Sequence, residues 1–290
     1  MAAVKTFTIG EAINWATLQL EGGSLFGARV EAERIISDAT GLARAELYLN
    51  RERTLCAPEC DFIELAVAKR LSGVPLQYVL GHQQFRFLDL VCRENVLIPR
   101  PETELLVEEA LVELRSLGGP RLVMDIGCGT GAIALSIAHE YSDAFIYATD
   151  VSPAAIELTG ENARRSGLSA GVQIIQSDLF KDIGDLRGRL DMVVSNPPYI
   201  PHGELGSLQR EVQFEPNLAL DGGEDGLNFY RAIVEHSPEF LKPGGILLLE
   251  VGFGQAAEVA TLCNDTGHFT RIDVKKDYQG IERIIKAKRG

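Results

Sequence analysis

After Pro120 the chain enters an alternation that few folds accept. Arg121–Ile126 is a short apolar strand that runs directly into Gly127-Cys128-Gly129-Thr130-Gly131, and Ala132–His139 then has helical spacing. Phe145–Thr149, Val172–Gln176, Asp191–Ser195 and Gly245–Val251 repeat the strand pattern. Helices that start at Ser152-Pro153 or span Leu227–Leu241 and Gln255–Cys263 separate them. Ser152 suits a cap and Pro153 a first helical position, where no N–H partner is needed. Apolar strands alternating with helices require a mostly parallel sheet buried on both faces. Arg271–Lys276 and Arg283–Lys288, joined by a turn at Gln279-Gly280, read as a closing pair that makes the expected sheet seven-stranded.

The chain ahead of this alternation has a different period. Thr8-Ile9-Gly10-Glu11 has the form of a capping box, and Ile13, Ala16 and Leu20, then Val30, Ile35, Ile36 and Ala39, recur at helical spacing. A further helix is expected from about Pro58 to Leu71. Residues 1–74 are therefore assigned to a small helical bundle. Residues 75–101, with Phe85, Phe87 and Leu90 among short polar breaks, read as a β-hairpin linker. A helix over Glu102–Leu117, closed by Gly118-Gly119-Pro120, opens an α/β domain over 102–290. Residues 201–226 have little periodicity and directly follow Asn196-Pro197-Pro198-Tyr199, a length and position that favour a lid.

Composition narrows the partners. The formal net charge is −13 over 290 residues. A protein that grips a phosphate backbone needs clustered Lys and Arg, so the overall charge counts against a nucleic-acid substrate, although a local basic patch can override it. No apolar run is long enough to span a bilayer, and the first residues lack a basic segment followed by an apolar one. The five scattered cysteines do not form a disulfide framework or a zinc-site spacing. A cytoplasmic protein that needs no metal is expected.

The glycine turn marks a ligand site with two readings. Glycines there let backbone N–H groups approach a ligand. Gly127-x-Gly129-x-x-Ala132, with Asp150 and then Val151 ending the next strand, satisfies a dinucleotide fingerprint, the carboxylate accepting ribose hydroxyls. Asp125, two residues before the first glycine, tilts the choice toward S-adenosylmethionine. A carboxylate there favours an ammonium or sulfonium, whereas a pyrophosphate gains nothing from it. Asp178, after the third strand, can accept from an adenine amino group, and Leu179 or Phe180 can cover the ring. Each Gly and Asp could instead be an ordinary turn residue.

The reacting end is Asn196-Pro197-Pro198-Tyr199, which ends the fourth strand where the crevice of an open α/β sheet lies. The prolines stiffen the turn and remove two donors. The Asn196 oxygen and the Pro197 carbonyl remain as acceptors that can hold a planar NH2 group by both hydrogens. Accepting both hydrogens draws electron density on the nitrogen toward a methyl donor, which is positioning plus electrostatic stabilisation. Tyr199 can stack on the planar group. The plain alternative is a Pro-rich turn, since Asn-Pro commonly starts one.

At these residues the sequence resembles the HemK/PrmC protein-(glutamine-N5) methyltransferases. The likeness covers nearly the whole chain: Pro75-Leu76-Gln77-Tyr78-Val79-Leu80-Gly81, Val96–Glu104, Asp125–Gly131, Val194–Ile200, Glu215-Pro216, Leu220–Leu227, Leu249-Glu250-Val251-Gly252 and Lys276–Arg283. The resemblance implies a Rossmann-like fold with S-adenosylmethionine as methyl donor and S-adenosylhomocysteine as product. It implies as substrate the Gln of the Gly-Gly-Gln loop in class-1 peptide chain release factors. It places Asp125, Gly127, Cys128, Gly129, Thr130, Gly131, Asp150, Val151, Asp178, Leu179 and Asn196 at the cofactor, Asn196, Pro197, Pro198 and Tyr199 at the substrate Gln, and Arg100 and Thr103 near the reacting end. Cys128 stands where Thr or Ala is common, and Leu179 where an aromatic is frequent. The helical domain becomes a docking surface for the release factor or, alternatively, a structural appendage. An adenine-N6 or guanine-N2 methyltransferase, a nicotinamide-dependent oxidoreductase and a non-catalytic binding protein are the competing functions.

Overall fold

The computed structural model describes residues 7–23 and 27–290. The first six residues, in which no leader pattern is read, lie outside the described residues. The chain divides into two compact units.

The helical unit comprises the described residues up to Gly81 together with Arg210–Phe214. Its helices are α1 (Ile9–Gly22), α2 (Ala28–Thr40), α3 (Arg44–Leu49), α4 (Ala57–Leu71) and α5 (Leu76–Leu80). The expected capping box opens α1: Glu11 N donates to the Thr8 hydroxyl at 3.2 Å and Thr8 N donates to the Glu11 carboxylate at 2.8 Å. Ile13, Leu20, Ile35, Ile36, Ile63 and Val67 form the centre of its core. Two elements differ from the sequence expectation. Arg44–Leu49 is helical, and so is Leu76–Leu80, which lay inside the expected hairpin linker. Both are too short to display a 3.6-residue period.

Arg70 is 1 % exposed and ties the inserted segment to this unit. Its guanidinium donates to both Glu31 oxygens at 2.8 and 2.9 Å, to Glu211 at 2.7 Å and to the Val74 carbonyl. A desolvated guanidinium is tolerated only with its fork filled in this way. Replacing it removes the cation and leaves the Val74 carbonyl without that donor. Arg70→Ala is expected to lower unfolding stability by on the order of 3 kcal/mol, measured by denaturant titration, whereas a change below a few tenths would contradict this account of Arg70.

The second unit comprises His82–Gln209 and Glu215–Gly290. It begins with a hairpin, β1 (His82–Phe85) and β2 (Leu88–Val91), followed by α6 (Thr103–Leu117). The alternation then runs β3 (Arg121–Ile126), α7 (Ala132–Glu140), β4 (Ala144–Asp150), α8 (Pro153–Arg165), β5 (Val172–Gln176), β6 (Leu190–Ser195), α9 (Asn228–Phe240), β7 (Leu241–Glu250), α10 (Ala256–Asp265), β8 (Phe269–Lys276) and β9 (Glu282–Arg289). These strands form a seven-stranded sheet in the order β5-β4-β3-β6-β7-β9-β8. The pairs from β5 to β7 are parallel, and β9 is antiparallel to both β7 and β8. The expected mostly parallel sheet is present.

Strand alternation divides the core between the two faces. Val123, Val194 and Leu248 pack in one cluster with α6 and α7, through Leu106 and Leu135. Met124, Val193, Leu247 and Leu249 pack in the other with α9 and α10, through Tyr230 and Val259. The strand order reverses at β3, which has β4 on one side and β6 on the other. In such sheets the crevice lies beyond the carboxyl ends of those strands.

Candidate active site

The two sequence motifs end neighbouring strands. Asp125 pairs with Val194 and Ile126 with Ser195 in the β3–β6 register. The Ser195 hydroxyl donates to the Ile126 carbonyl at 2.7 Å and binds the strand ends together. Gly127–Gly131 and Asn196–Tyr199 therefore leave the sheet side by side.

Neighbouring strands and helices hold the glycine turn. Gly127 N and Cys128 N both donate to the Thr149 carbonyl, at 2.8 and 2.9 Å. Gly129 N donates to Asp150 Oδ2 at 3.0 Å, and Ser152 N donates to Asp150 Oδ1 at 2.9 Å. Thr159 on α8 donates to the Gly129 carbonyl at 2.9 Å, and buried Asn162 donates to the Thr130 carbonyl at 2.9 Å. Gly131 has φ 85°, and a Cβ there would meet Leu135 at 2.9 Å and Thr159 at 3.1 Å, so no larger residue fits.

Above these strand ends is a cavity of about 1070 Å³, counting the space open to solvent. Ligand clefts commonly span about 300–1,000 Å³. The wall contains Gly127, Cys128, Gly129, Thr130, Asp150, Val151, Asp178, Leu179, Asn196, Pro197 and Pro198, together with Arg100 and Thr103. Asp125, Gly131 and Tyr199 do not line it. Asp125 is fully buried, with Oδ2 accepting from Ala134 N at 3.1 Å in the first turn of α7. Asp125, expected to face a cationic ligand, thus lies beneath the turn rather than on the cavity wall. Tyr199 turns toward Gly252, and its carbonyl accepts from Gln255 Nε2 at 3.0 Å.

Leu179 and Phe180, either of which was expected to cover the adenine, point to different places. Leu179, at φ 53°, lines the cavity. Phe180 turns into the core and stacks on Phe240 with ring centroids 4.7 Å apart. Phe229 and Ile233 of α9 also line the wall. Their side in the sequence was read only as a helix, and nothing local marks Phe229 as a cavity residue.

The stretch 201–226, expected as a lid, contains short 3₁₀ turns, of which His202–Ser207 and Asn217–Ala219 belong to the α/β unit and Val212–Phe214 to the helical one. Ile200 N donates to the Leu220 carbonyl at 3.0 Å, Gly222 N to the Ile200 carbonyl at 2.8 Å and His202 N to the Gly223 carbonyl at 2.8 Å. Glu215 is 4 % exposed; it accepts from Ile98 N at 3.0 Å and pairs with Arg100. Pro216, Leu218 and Ala219 reach the cavity. Gly226 has φ 78°, and a Cβ on it would collide with the Tyr199 carbonyl. Leu220–Leu227 thus cradles the backbone of the Asn-Pro-Pro-Tyr turn. The irregular segment hides these anchors because they are backbone bonds and one long-range carboxylate, neither of which leaves a period.

Three desolvated carboxyls sit at or near the ends of β3, β4 and β7, and of these Asp150 lines the cavity. Burial, opposed by the bond from Ala134 N and reinforced by the Asp150 charge, pushes Asp125 up to about 7. Burial raises Asp150 against its backbone donors. Burial also raises Glu250 to about 7. Asp125 Oδ1 and Glu250 Oε2 have no hydrogen-bond partner. A cation brought here relieves the desolvated charge, and a pyrophosphate aggravates it. The orphaned Asp125 oxygen beneath the turn, and turn N–H groups already engaged by Thr149 and Asp150, fit S-adenosylmethionine and disfavour a dinucleotide pyrophosphate.

The fold and this site together define a methyltransferase. A family model described as "Methyltransferase small domain" matches residues 102–210, and one described as "PrmC N-terminal domain" matches residues 11–81. The chain is 42% identical to a release factor glutamine methyltransferase of Geobacter sulfurreducens, with 98% of each covered. It is 41% identical to one of Moorella thermoacetica, over 97% of this chain and 99% of the relative. The crystal structure of a methyltransferase from Pyrococcus furiosus shares the fold, with a TM-score of 0.52 and 19% identity over 70% of this chain and 89% of that one. The chain belongs to the family of release factor glutamine methyltransferases, and its methyl donor is S-adenosylmethionine. No helix among the described residues is long and apolar enough to cross a membrane.

Two outcomes follow from the geometry. Asp125 ionises as pH rises through about 7, so affinity for the cationic cofactor should tighten between pH 6 and pH 8, by at most about 10-fold for one such group. Calorimetric titration checks this, with Asp125→Asn flattening the trend; affinity that weakens with pH would contradict the electrostatics. Gly226→Ala should displace the Asn-Pro-Pro-Tyr backbone and cut turnover by roughly 10-fold or more while cofactor affinity stays near the parent value. Unchanged turnover would show that the cradle does not position the turn.

Proposed function

We infer that this protein transfers the methyl group of S-adenosylmethionine to the side-chain amide nitrogen of the Gln in the Gly-Gly-Gln loop of class-1 peptide chain release factors. The observation that carries this is the orientation of Asn196. Its Nδ2 donates to Thr103 Oγ1 at 3.1 Å, which leaves Oδ1 as the acceptor toward the cavity. Pro197 and Pro198 follow it on the wall and offer no backbone donors.

Asn196 Oδ1 and the Pro197 carbonyl accept the two amide hydrogens of the substrate Gln. This orients the nitrogen and lets it move from planar toward tetrahedral as its lone pair leaves amide conjugation. When bound, S-adenosylmethionine supplies the electrophilic methyl. The nitrogen–carbon bond forms as the sulfur–carbon bond breaks, leaving S-adenosylhomocysteine. One amide proton passes to solvent, because a methylated, protonated amide is strongly acidic and needs no dedicated base. The charges complement one another: desolvated carboxyls lie on the cofactor side, and the neutral amide needs no cation on the acceptor side.

The backbone of Gly127–Gly131, with Cys128 and Thr130, closes around the cofactor. Asp150 accepts from its ribose hydroxyls and Val151 borders them. Asp178 accepts from the adenine amino group and Leu179 covers the ring. Tyr199 packs against Gly252 outside the cavity wall, and stacking on the incoming glutamine amide would require its ring to leave that position. Arg100, held by Glu215, flanks the entrance. The helical unit is the docking surface for the release factor, and the cytoplasm is the compartment where both proteins meet. The net charge of −13 supports a protein partner over nucleic acid.

Incubation with labelled S-adenosylmethionine and, separately, a release factor, tRNA and DNA tests this function. Label is expected on the release factor alone. Label that persists after its Gly-Gly-Gln glutamine is replaced would overturn the substrate, and label on the nucleic acids would favour adenine-N6 or guanine-N2 transfer. Asn196→Ala should lower kcat by about 10²-fold or more, with cofactor affinity little changed.

A further inference from the structure

The hairpin of β1 and β2 and the glycine turn are distant in sequence, and one buried side chain bonds to both. Asn162 on α8 is 1 % exposed. Its Oδ1 accepts from Val91 N at 2.8 Å, and its Nδ2 donates to the Val91 carbonyl at 3.2 Å and to the Thr130 carbonyl at 2.9 Å. The amide thus pairs with the outer edge of β2 as the peptide of a third strand would, and directs its other hydrogen to the glycine turn. One N–H and two carbonyls around it fit a single flip of the amide and use both of its hydrogens. Thr159, on the same buried face of α8, holds the preceding carbonyl of the turn, that of Gly129, at 2.9 Å. Val91 leads into the stretch that supplies Asn95, Val96, Leu97, Pro99 and Arg100 to the cavity wall. Val96 in that stretch packs with Val91, Ala155 and Leu158, and Asn95 bends it with φ 70°. Its far end is anchored by Glu215, through Ile98 N and Arg100. Neither Asn162 nor Val91 lines the cavity.

We propose that Asn162 is a positioning residue that couples two walls of the S-adenosylmethionine cavity, the stretch 92–100 and the glycine turn, so that the two are ordered together. Without its amide, Val91 N, the Val91 carbonyl and the Thr130 carbonyl lose that partner while buried, which a folded chain tolerates poorly. The stretch 92–100 is then free to move off α8, and the Thr130 peptide is free to rotate. A ligand that contacts both walls binds only the arrangement in which both are in place, so its affinity falls with the population of that arrangement. By the same linkage the bound cofactor favours the coupled arrangement and tightens bonds that it does not touch. Asn162 acts through the walls it joins, as outer partners orient a ligating side chain. The acceptor turn is held separately, by the Ser195 hydroxyl on Ile126 and by the backbone bonds of Ile200 to Leu220 and Gly222.

The inference rests on the placement of S-adenosylmethionine against the glycine turn, and amide hydrogen exchange on the unaltered protein separates the two. With the cofactor at about 100 times its dissociation constant, exchange of the Val91 amide should slow by roughly 10-fold or more, although Val91 is outside the cavity. Amides of β8, at the far edge of the sheet, should change little. Slowed glycine-turn amides beside an unchanged Val91 would overturn the coupling and leave the cofactor site standing. Glycine-turn amides that ignore the cofactor would overturn the cofactor site itself. A variant adds a second readout. Asn162→Asp keeps the shape and the acceptor for Val91 N but sets an oxygen against both carbonyls. It should raise the dissociation constant for S-adenosylmethionine by about 10-fold, measured by calorimetry, with KM for the release factor within roughly 2-fold of the parent. A parent-like dissociation constant would overturn the positioning role, and so would equal losses in both constants, which mark general loosening of the domain.

Discussion

The parallel pairing of β3 with β6 is the constraint on which the site depends. It sets Ile126 opposite Ser195, and the hydroxyl of Ser195 on the Ile126 carbonyl fastens the last rung. Two turns with opposite chemistry then leave the sheet as neighbours. One is a glycine run whose N–H groups are largely tied to Thr149 and Asp150, and the other is a proline run that offers carbonyl and amide oxygens and few donors. A slip of one residue would invert every side chain of either strand between the two cores and separate the turns. Burial on both faces prevents the slip, since all six residues of β6 are buried.

Desolvated acidity is the second organising element. Asp125 beneath the glycine turn, Asp150 at its edge and Glu250 behind the acceptor turn are all raised by burial. Holding such groups without fixed cations is costly. A cationic ligand beside the glycine turn would offset that cost. At the end of β7 the Glu250 carboxyl is left with Oε2 unpartnered.

Much of this was legible in the sequence because it is periodic or strongly typed. The strands of the sheet started within four residues of expectation, and β3 and β5 on the expected residue, since buried parallel strands are continuous apolar runs. The glycine and Asn-Pro-Pro-Tyr turns were placed by their position at strand ends. Four parts were not legible. Short helices such as Arg44–Leu49 and Leu76–Leu80 complete barely one turn and show no period. The segment 201–226 is held by backbone bonds and by Glu215, whose partners Ile98 and Arg100 lie more than a hundred residues upstream. Glu250 was visible only as part of a quoted motif, because a carboxylate that ends a strand has no local signature of what it faces. The direction of Phe180 into the core, leaving Leu179 on the cavity, is set by the positive φ at Leu179, which residue type does not announce.

The central claim is that an oxygen-lined turn presents a glutamine amide nitrogen to a cationic methyl donor. The most direct measurement is tandem mass spectrometry of a release factor after incubation with the protein and S-adenosylmethionine. The account predicts a single added methyl on the side-chain amide nitrogen of the Gly-Gly-Gln glutamine. A methyl on any other residue, or an unmodified glutamine under conditions where the protein binds S-adenosylmethionine, would contradict it.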